Sequence, residues 1–311
     1  MSSLRSLPKV RDSISFLQVS RCRIEQDAKA IAVWYEDGRY IIPCASLTTL
    51  LLGPGSVITH AAIKTLADNA CMVQWVGEDG LRFYAHGTHS SSSVERLYHQ
   101  VKLWSDPAQH LQIVRRMYQF RFTEPLADNL TLEQIRGLEG VRVRTAYAQM
   151  SKATGVEWKG RDYKLNNWAE SDPVNRALSK ANTCLYAVCQ ATLVAVGYSA
   201  ALGFIHTGKP LSFVYDVADL YKTKTTIPAA FEAVAKYNLK AESHVRQICR
   251  EKFASARLLQ RIVGDVDDLL ELKKVSDEAA PVGDLWDDQE GTVAGGQSYG
   301  ENVATVEQVP W

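Results

Sequence analysis

One mostly apolar stretch, "GFIHTGKPLSFVYDVADLYK" (203–222), carries an imidazole, an ammonium and two carboxylates: His206, Lys209, Asp216 and Asp219. A further acid, Glu139, stands between Gly137 and Gly140 in "RGLEGVRVRTAYAQ". Carboxylates with a single imidazole make a mostly oxygen donor set, which suits Mg²⁺ or Mn²⁺ better than structural zinc. Such an ion can polarise a phosphoryl oxygen and stabilise an attacking or leaving 3′-oxygen. The combined set of Glu139, His206, Asp216 and Asp219 therefore points to phosphoryl-transfer chemistry.

Each part of that set also has a plainer reading. Gly203 to Lys209 spells G-x-x-x-x-G-K, but Pro210 stands where a phosphate-binding loop needs Ser or Thr, and the preceding segment reads as a helix rather than a strand, so a P-loop is rejected. Pro210 suits the first turn of a helix. The residues after it are apolar on nearly every side, and the polar ones (Ser212, Asp216, Asp219, Thr223) fall at i, i+4, i+7 and i+11, one narrow stripe. A helix apolar all round is usually buried, so the stripe is expected to face an internal cleft; an ordinary solvated face is the alternative. Two carboxylates at i, i+3 repel each other, and a bound cation would remove that cost. Glycines inside a helix cost about 1 kcal/mol each relative to Ala. Gly137 and Gly140 therefore mark either close helix packing or a substrate backbone approaching Glu139. "VEWKGRDYKLNNWAE" (156–170) interleaves Trp158, Tyr163 and Trp168 with Lys159, Arg161 and Lys164. That mixture offers stacking and charge to a nucleic-acid strand, or else plugs a core beneath a loop.

The elements that must hold these groups change character along the chain. Up to about Ala85 the pattern is strand-like: "ISFLQVS", "AIAVWY", "RYIIP", "LTTLLL", "CMVQWVG" and "LRFYA", with Asp37-Gly38 and Asp79-Gly80 as hairpin turns. One helix, "ITHAAIKTLADNA", interrupts. "HGTHSSSS" (86–93) reads as a polar linker, and His86 and His89 in it as loop histidines. Helices are predicted over 94–105, 107–122, 131–154, 173–198, 210–222, 228–237 and 241–274, with starts at Asp106-Pro107, Asp172-Pro173, Pro228 and the Thr131–Gln134 capping box. The expected fold class is α+β: a small N-terminal β-sandwich domain (1–87), a larger helical catalytic domain (94–275), and an acidic, disordered tail (276–311).

Composition narrows the partners. All 35 basic residues and 27 of the 35 acids lie in residues 1–275, so that body is net +8, and eight acids without a single Lys or Arg follow it. A basic body suits a polyanion. No apolar run of about 18 residues exists, so no membrane span is expected, and "MSSLRSLPKVRDS" lacks a signal-peptide core. Six scattered cysteines with no C-x-x-C pair predict reduced thiols and a cytoplasmic location.

"IRGLEGVRVR" followed by "GFIHTGKPLSFVYDVADLYK" resembles the CRISPR adaptation integrases, the metal-dependent Cas-one family. "SFVYDVAD" and "PGSVITHAAIKTLAD" resemble its type I-E branch, and the likeness covers about residues 10–275. The resemblance implies an N-terminal β-sandwich joined to a helical domain. It implies a Mg²⁺ or Mn²⁺ site of one Glu, one His and one Asp, which land on Glu139, His206 and Asp216, with Asp219 as a nearby supporting acid. Lys209, Arg82, Tyr163, Trp168, Tyr186 and Arg246 match positions near the metal or along bound DNA. It also implies homodimers that flank a small Cas-two-like subunit, and joining of the 3′-ends of captured double-stranded DNA to CRISPR repeat DNA. Val19 stands in "FLQVS" where this branch often has a Tyr that wedges the duplex end. Two other readings share the residues: a structure-selective nuclease using water at the same site, and a non-catalytic DNA-binding scaffold.

Overall fold

The computed structural model describes residues 16–77, 83–87, 94–161 and 172–272, and the backbone of 285–287 and 291–293. The fold is mixed α+β. Strands β1 (Leu17–Val19), β2 (Arg23–Asp27), β3 (Ala30–Tyr35), β4 (Gly38–Pro43), β5 (Thr49–Leu52) and β6 (Val57–Ile58) precede helix α1 (His60–Asp68), and β7 (Met72–Val76) and β8 (Phe83–Gly87) follow it. They form two four-stranded sheets, ordered β4-β3-β2-β6 and β1-β5-β7-β8. Glu36 and Asp37 form the two-residue β3–β4 turn, one position earlier than the expected Asp37-Gly38, and Gly38 opens β4 opposite Tyr35. β5 pairs in parallel with both neighbours and is buried at all four positions, as its unbroken apolar run requires. Ile24, Ile31 and Val33 of one sheet meet Val19, Leu50, Leu52 and Val73 of the other in a single apolar cluster, closed by Ala62 and Leu66 of α1.

β2 is a strand that the sequence pattern does not announce. "RIEQD" is polar, and only Ile24 reaches the core; the ladder to β3 supplies the rest. His86 and Gly87, expected to begin a linker, instead pair with Gln74 and Val73 at the end of β8. Asp79, Gly80, Arg82 and His89 lie outside the described residues.

Helices α2 (Glu95–Ser105), α3 (Pro107–Arg121), α4 (Leu132–Thr154), α5 (Pro173–Ala195), α6 (Ser212–Asp219), α7 (Thr226–Tyr237), α8 (Ala241–Ser255) and α9 (Leu258–Leu269) follow. The caps fall where the side chains dictate. Asp106 Oδ1 accepts from Ala108 N and Gln109 N, Asp172 Oδ1 from Val174 N and Asn175 N, and Thr131 and Gln134 form a reciprocal capping box. α5 is the central helix, buried along most of its length. The single helix expected over 241–274 is two, broken at Arg257, whose φ of 49° is left-handed. Buried residues recur every four positions at Val245, Cys249 and Phe253, and again at Leu258, Ile262 and Val266. The step of five between Phe253 and Leu258 shifts the stripe, so one straight helix could not keep both halves on the core.

Sheet and helices share that core. Phe16, Leu51 and Val76 belong to the same apolar cluster as α5, and the buried Gln74 donates its amide to the Ala187 carbonyl at 3.0 Å. Residues Met1–Val275 accordingly form one compact unit, and Ser276–Trp311 form a second. The boundary near residue 90 is a change of secondary structure within one body. Within the second unit, β9 (Leu285–Asp287) and β10 (Gly291–Val293) pair as an antiparallel hairpin. All six cysteines are buried free thiols. Among the described residues no helix is long and apolar enough to cross a membrane.

Among the described residues the two glycines of α4 are in open space: a Cβ on Gly137 would meet nothing within 4 Å, and one on Gly140 only the end of the Arg144 side chain. Close helix packing is therefore not their reason. Gly137→Ala is expected to raise thermal stability by up to about 1 kcal/mol. A simultaneous drop in activity would show that something must approach this backbone, whereas a destabilised variant would contradict the open space.

Candidate metal centre

Asp216 sits in the middle of α6 and is completely buried. Its Oδ2 accepts from the backbone N–H of Phe204 at 2.6 Å and of Ile205 at 3.0 Å. Its Oδ1 accepts from His206 N at 2.9 Å and lies 2.7 Å from His206 Nδ1. Ser212, one turn earlier on the same face, is also fully buried and holds Lys209 N at 3.1 Å and Lys209 O at 2.9 Å. The first half of the polar stripe, Ser212 and Asp216, thus points into the chain's own 203–211 loop, and not into a cleft. α6 starts at Ser212, two residues later than expected, because the Lys209–Ser212 turn takes up the intervening residues.

The loop is clamped from its other side. Gln100 of α2 donates to the carbonyls of Ser199 and Leu202 at 3.1 and 3.0 Å, and Trp104 Nε1 donates to Gly203 O at 3.0 Å. Gly203 tolerates no side chain: a Cβ would lie 2.3 Å from His206 O and 2.7 Å from the Ser212 backbone carbon. Gly203→Ala is expected to cost at least about 1–3 kcal/mol, the usual range for overpacking, and to displace His206. A variant melting with the wild type would refute this packing.

Because Asp216 Oδ1 is an acceptor, His206 Nδ1 must carry the proton, which leaves the Nε2 lone pair free on a ring that is 43% exposed. The hydrogen bond to Asp216 raises the His206 pKa; burial opposes it and the charge of Asp219 adds to it. Asp219 ends α6. Its Oδ1 pairs with Lys222 Nζ at 2.5 Å, and its Oδ2 lies 3.9 Å from Arg121 Nη1. Burial pushes its carboxyl up, but Lys222 and Arg121 prevail and hold it below the ordinary range. Glu139 of α4 takes both arms of Arg142, Nε at 2.7 Å and Nη2 at 2.9 Å, and Arg121 Nη1 at 3.2 Å. There too burial is outweighed, and the carboxyl is lowered by Arg142 and Arg121.

Glu139 and Asp219 thus share one guanidinium nitrogen, with His206 within electrostatic reach of Asp219. As the side chains stand, no three His, Cys, Asp or Glu groups among the described residues are close enough to hold a metal; three cations, Arg121, Arg142 and Lys222, balance the acids instead. The donor chemistry nonetheless fits a hard divalent ion: two partly accessible carboxylates and a neutral imidazole nitrogen whose tautomer is fixed by a buried acid.

The residues also match a known family: the family described as CRISPR associated protein Cas1 aligns with residues 16–124 and 119–250. The chain belongs to the Cas1 family. A Cas1 relative from Thermus thermophilus, named CRISPR-associated endonuclease Cas1 2, is 49% identical over 305 residues, covering 96% of this chain and 94% of its own. The Escherichia coli CRISPR-associated endonuclease Cas1 is 38% identical over 273 residues, covering 88% and 89%. Among solved structures, the TtCas1–DNA complex superposes with a TM-score of 0.78 at 47% identity, over 91% of this chain and all of that one. A casposase bound to an integration product shares the fold at TM-score 0.64 and 12% identity, over 86% and 96%.

In this Cas1 chain the remaining candidates are spread around the centre. Tyr186 of α5 packs edge-on against Tyr215 at 5.0 Å, with Lys222 Nζ 4.9 Å from its ring centroid. Both tyrosines line a recess shared with Phe83, Gln74 and Gln190. Lys209 is exposed on the loop. Arg246 of α8 reaches Gln18 of β1 at 2.9 Å, away from the carboxylates. Arg82, Tyr163 and Trp168 lie outside the described residues. Trp158 takes the core-plugging alternative, stacked on Tyr147 at 4.4 Å and packed against Phe231. Arg121, Arg142 and Lys222 belong to no motif that marks them in the sequence. The i, i+3 spacings Glu139–Arg142 and Asp219–Lys222 were the available signal.

Proposed function

We propose that this protein is a divalent-metal-dependent DNA integrase of CRISPR adaptation, of the type I-E branch. It would join the 3′-ends of captured DNA fragments to a CRISPR repeat by phosphodiester transesterification. The observation that carries the reading is the Asp216–His206 pair, which leaves a free Nε2 lone pair on a partly exposed ring within electrostatic reach of Asp219, itself joined to Glu139 through Arg121. Glu139, His206 Nε2 and Asp219 would hold Mg²⁺ or Mn²⁺. This moves one ligand position from Asp216 to Asp219, because both Asp216 oxygens are already committed to N–H donors. The ion supplies Lewis-acid polarisation of the phosphoryl oxygen and charge stabilisation. Asp216 keeps the proton on His206 Nδ1. Arg142 fixes the Glu139 carboxylate through two hydrogen bonds, and Lys222 orients Asp219. Exposed Lys209 and the Tyr186 ring are suited to a phosphate and a base.

The net +8 of residues 1–275 supports a DNA partner, as does the likeness to a Cas1 solved with DNA. Homodimers and a small Cas-two-like subunit complete the proposed assembly. The endonuclease names of the relatives favour a second reading, in which water attacks at the same site. Incubating labelled fragments with repeat-containing DNA and Mn²⁺ tests both readings: joined products support integration, cleavage without joining supports the nuclease, and neither product refutes both.

The raised pKa of His206 has a signed consequence. Only the neutral ring offers Nε2 to a metal. A raised pKa keeps the ring protonated to higher pH. Mn²⁺ affinity and strand joining should therefore fall as pH drops through a midpoint above about 6.5, the ordinary histidine value. A midpoint at or below that value in a Mn²⁺ titration would contradict the Asp216 hydrogen bond as its cause.

A further inference from the structure

Arg121 closes α3, and its side chain is only 4% exposed. Its Nη1 donates to Glu139 Oε1 at 3.2 Å and stands 3.9 Å from Asp219 Oδ2. The guanidinium carbon lies 5.1 Å from the Tyr118 ring centroid, so an aromatic face supports it. Nε and Nη2, the edge that normally grips a carboxylate with two parallel bonds, are buried without a hydrogen-bond partner among the described residues. That is a poor arrangement for a purely structural ion pair, since buried unsatisfied donors are costly. Neither acid needs Arg121 for neutralisation: Glu139 already has Arg142 on both oxygens, and Asp219 has Lys222. What Arg121 alone does is place one positive nitrogen between the two carboxylates, where a small cation would touch both.

We infer that Arg121 is the resident counter-ion of this centre. It holds Glu139 and Asp219 together when no metal is bound, gives up that position when a divalent ion enters, and thereby sets the affinity of the site. The inference rests on the reading of Glu139, His206 and Asp219 as metal ligands. It makes Arg121 a positioning residue, and its effect appears in metal binding by the protein alone, before any DNA is added.

The test uses full-length protein without DNA and Mn²⁺ as the only ligand, with calorimetric titration and thermal unfolding in EDTA and in Mn²⁺. Arg121→Met keeps the bulk and removes the charge. It should bind Mn²⁺ at least about tenfold tighter than the wild type, because a competing unit charge at this range has gone. It should also melt lower in EDTA and gain more from Mn²⁺ than the wild type does. Arg121→Lys keeps the charge on a shorter stem that cannot reach both acids as the guanidinium does, and should fall between the two. A folded Arg121→Met with wild-type or weaker affinity overturns the inference. Should that variant fail to fold, an Arg121→Lys affinity equal to or below that of the wild type overturns it instead. Glu139→Gln and Asp219→Asn keep the two failures apart. If they lose Mn²⁺ while the Arg121 variants leave affinity unchanged, the metal reading stands and only the role of Arg121 falls. If they bind as the wild type does, or if the wild type binds no Mn²⁺, the metal reading falls and this inference with it.

Discussion

Asp219→Asn is expected to lower Mn²⁺-dependent strand joining by about 10²–10³-fold, the usual loss on removing one charged group that stabilises a phosphoryl-transfer transition state. The substitution is nearly isosteric, so it removes charge while keeping shape. Asp219 is partly accessible, its side chain 22% exposed at the end of α6, and its two oxygens face Lys222 and Arg121 and, among the described residues, no backbone amide. No loop depends on it for its hydrogen bonds, so the fold should survive. Lys222, whose own pKa falls with burial and is raised again by Asp219, loses the charge that keeps it protonated. Its Nζ nevertheless keeps the Tyr186 ring as a neighbour. Glu139→Gln should behave alike, with duplex binding kept and joining lost. Joining above about a tenth of the wild-type rate in either variant, with the protein folded, would remove that carboxylate from the catalytic set.

The strand-to-helix change near residue 90 was legible because side-chain period and turn residues switch together there. The helix starts were legible because Asp106, Thr131 and Asp172 each cap by direct hydrogen bonds. Two features were not. β2 places a single apolar side chain, Ile24, on the core, so no alternation is written into "RIEQD"; pairing with β3 creates the strand. The α8–α9 break lies in the phase of the buried positions, with no glycine or proline to mark it.

At the site, sequence periodicity correctly gathered Ser212, Asp216 and Asp219 onto one face of α6, but it could not say what that face meets. A polar stripe on an apolar helix can serve a ligand or the protein's own backbone. Here Ser212 and Asp216 satisfy loop amides and only Asp219 reaches the edge. Thr223, the fourth member, receives Arg142 Nη1 at 3.3 Å and so ties the stripe to the Glu139 pair. The resemblance places a metal ligand on Asp216, and the ligand proposed above is one helical turn on, at Asp219, a shift that spacing between neighbouring acids cannot detect.

Asp216→Ala separates these two accounts before any catalysis is measured. Were Asp216 a metal ligand on an open stripe, its removal would relieve repulsion from Asp219, and the metal-free protein would melt at or above the wild-type temperature. The hydrogen bonds require the opposite. Alanine strands the N–H groups of Phe204, Ile205 and His206 in a fully buried position and frees the His206 ring. Leaving buried donors without partners costs about 1–3 kcal/mol each, and breaking a buried charged network about 3–5 kcal/mol in all. For a body of this size that is a fall of about 10 °C in Tm. Asp216→Asn should be little better, because its amide nitrogen must face one of the same N–H donors. Strand joining should vanish in both variants, through loss of His206 orientation. Thermal unfolding in EDTA decides the matter: a melt unchanged from the wild type would show that the three amides do not depend on Asp216 and would return it to the list of metal ligands.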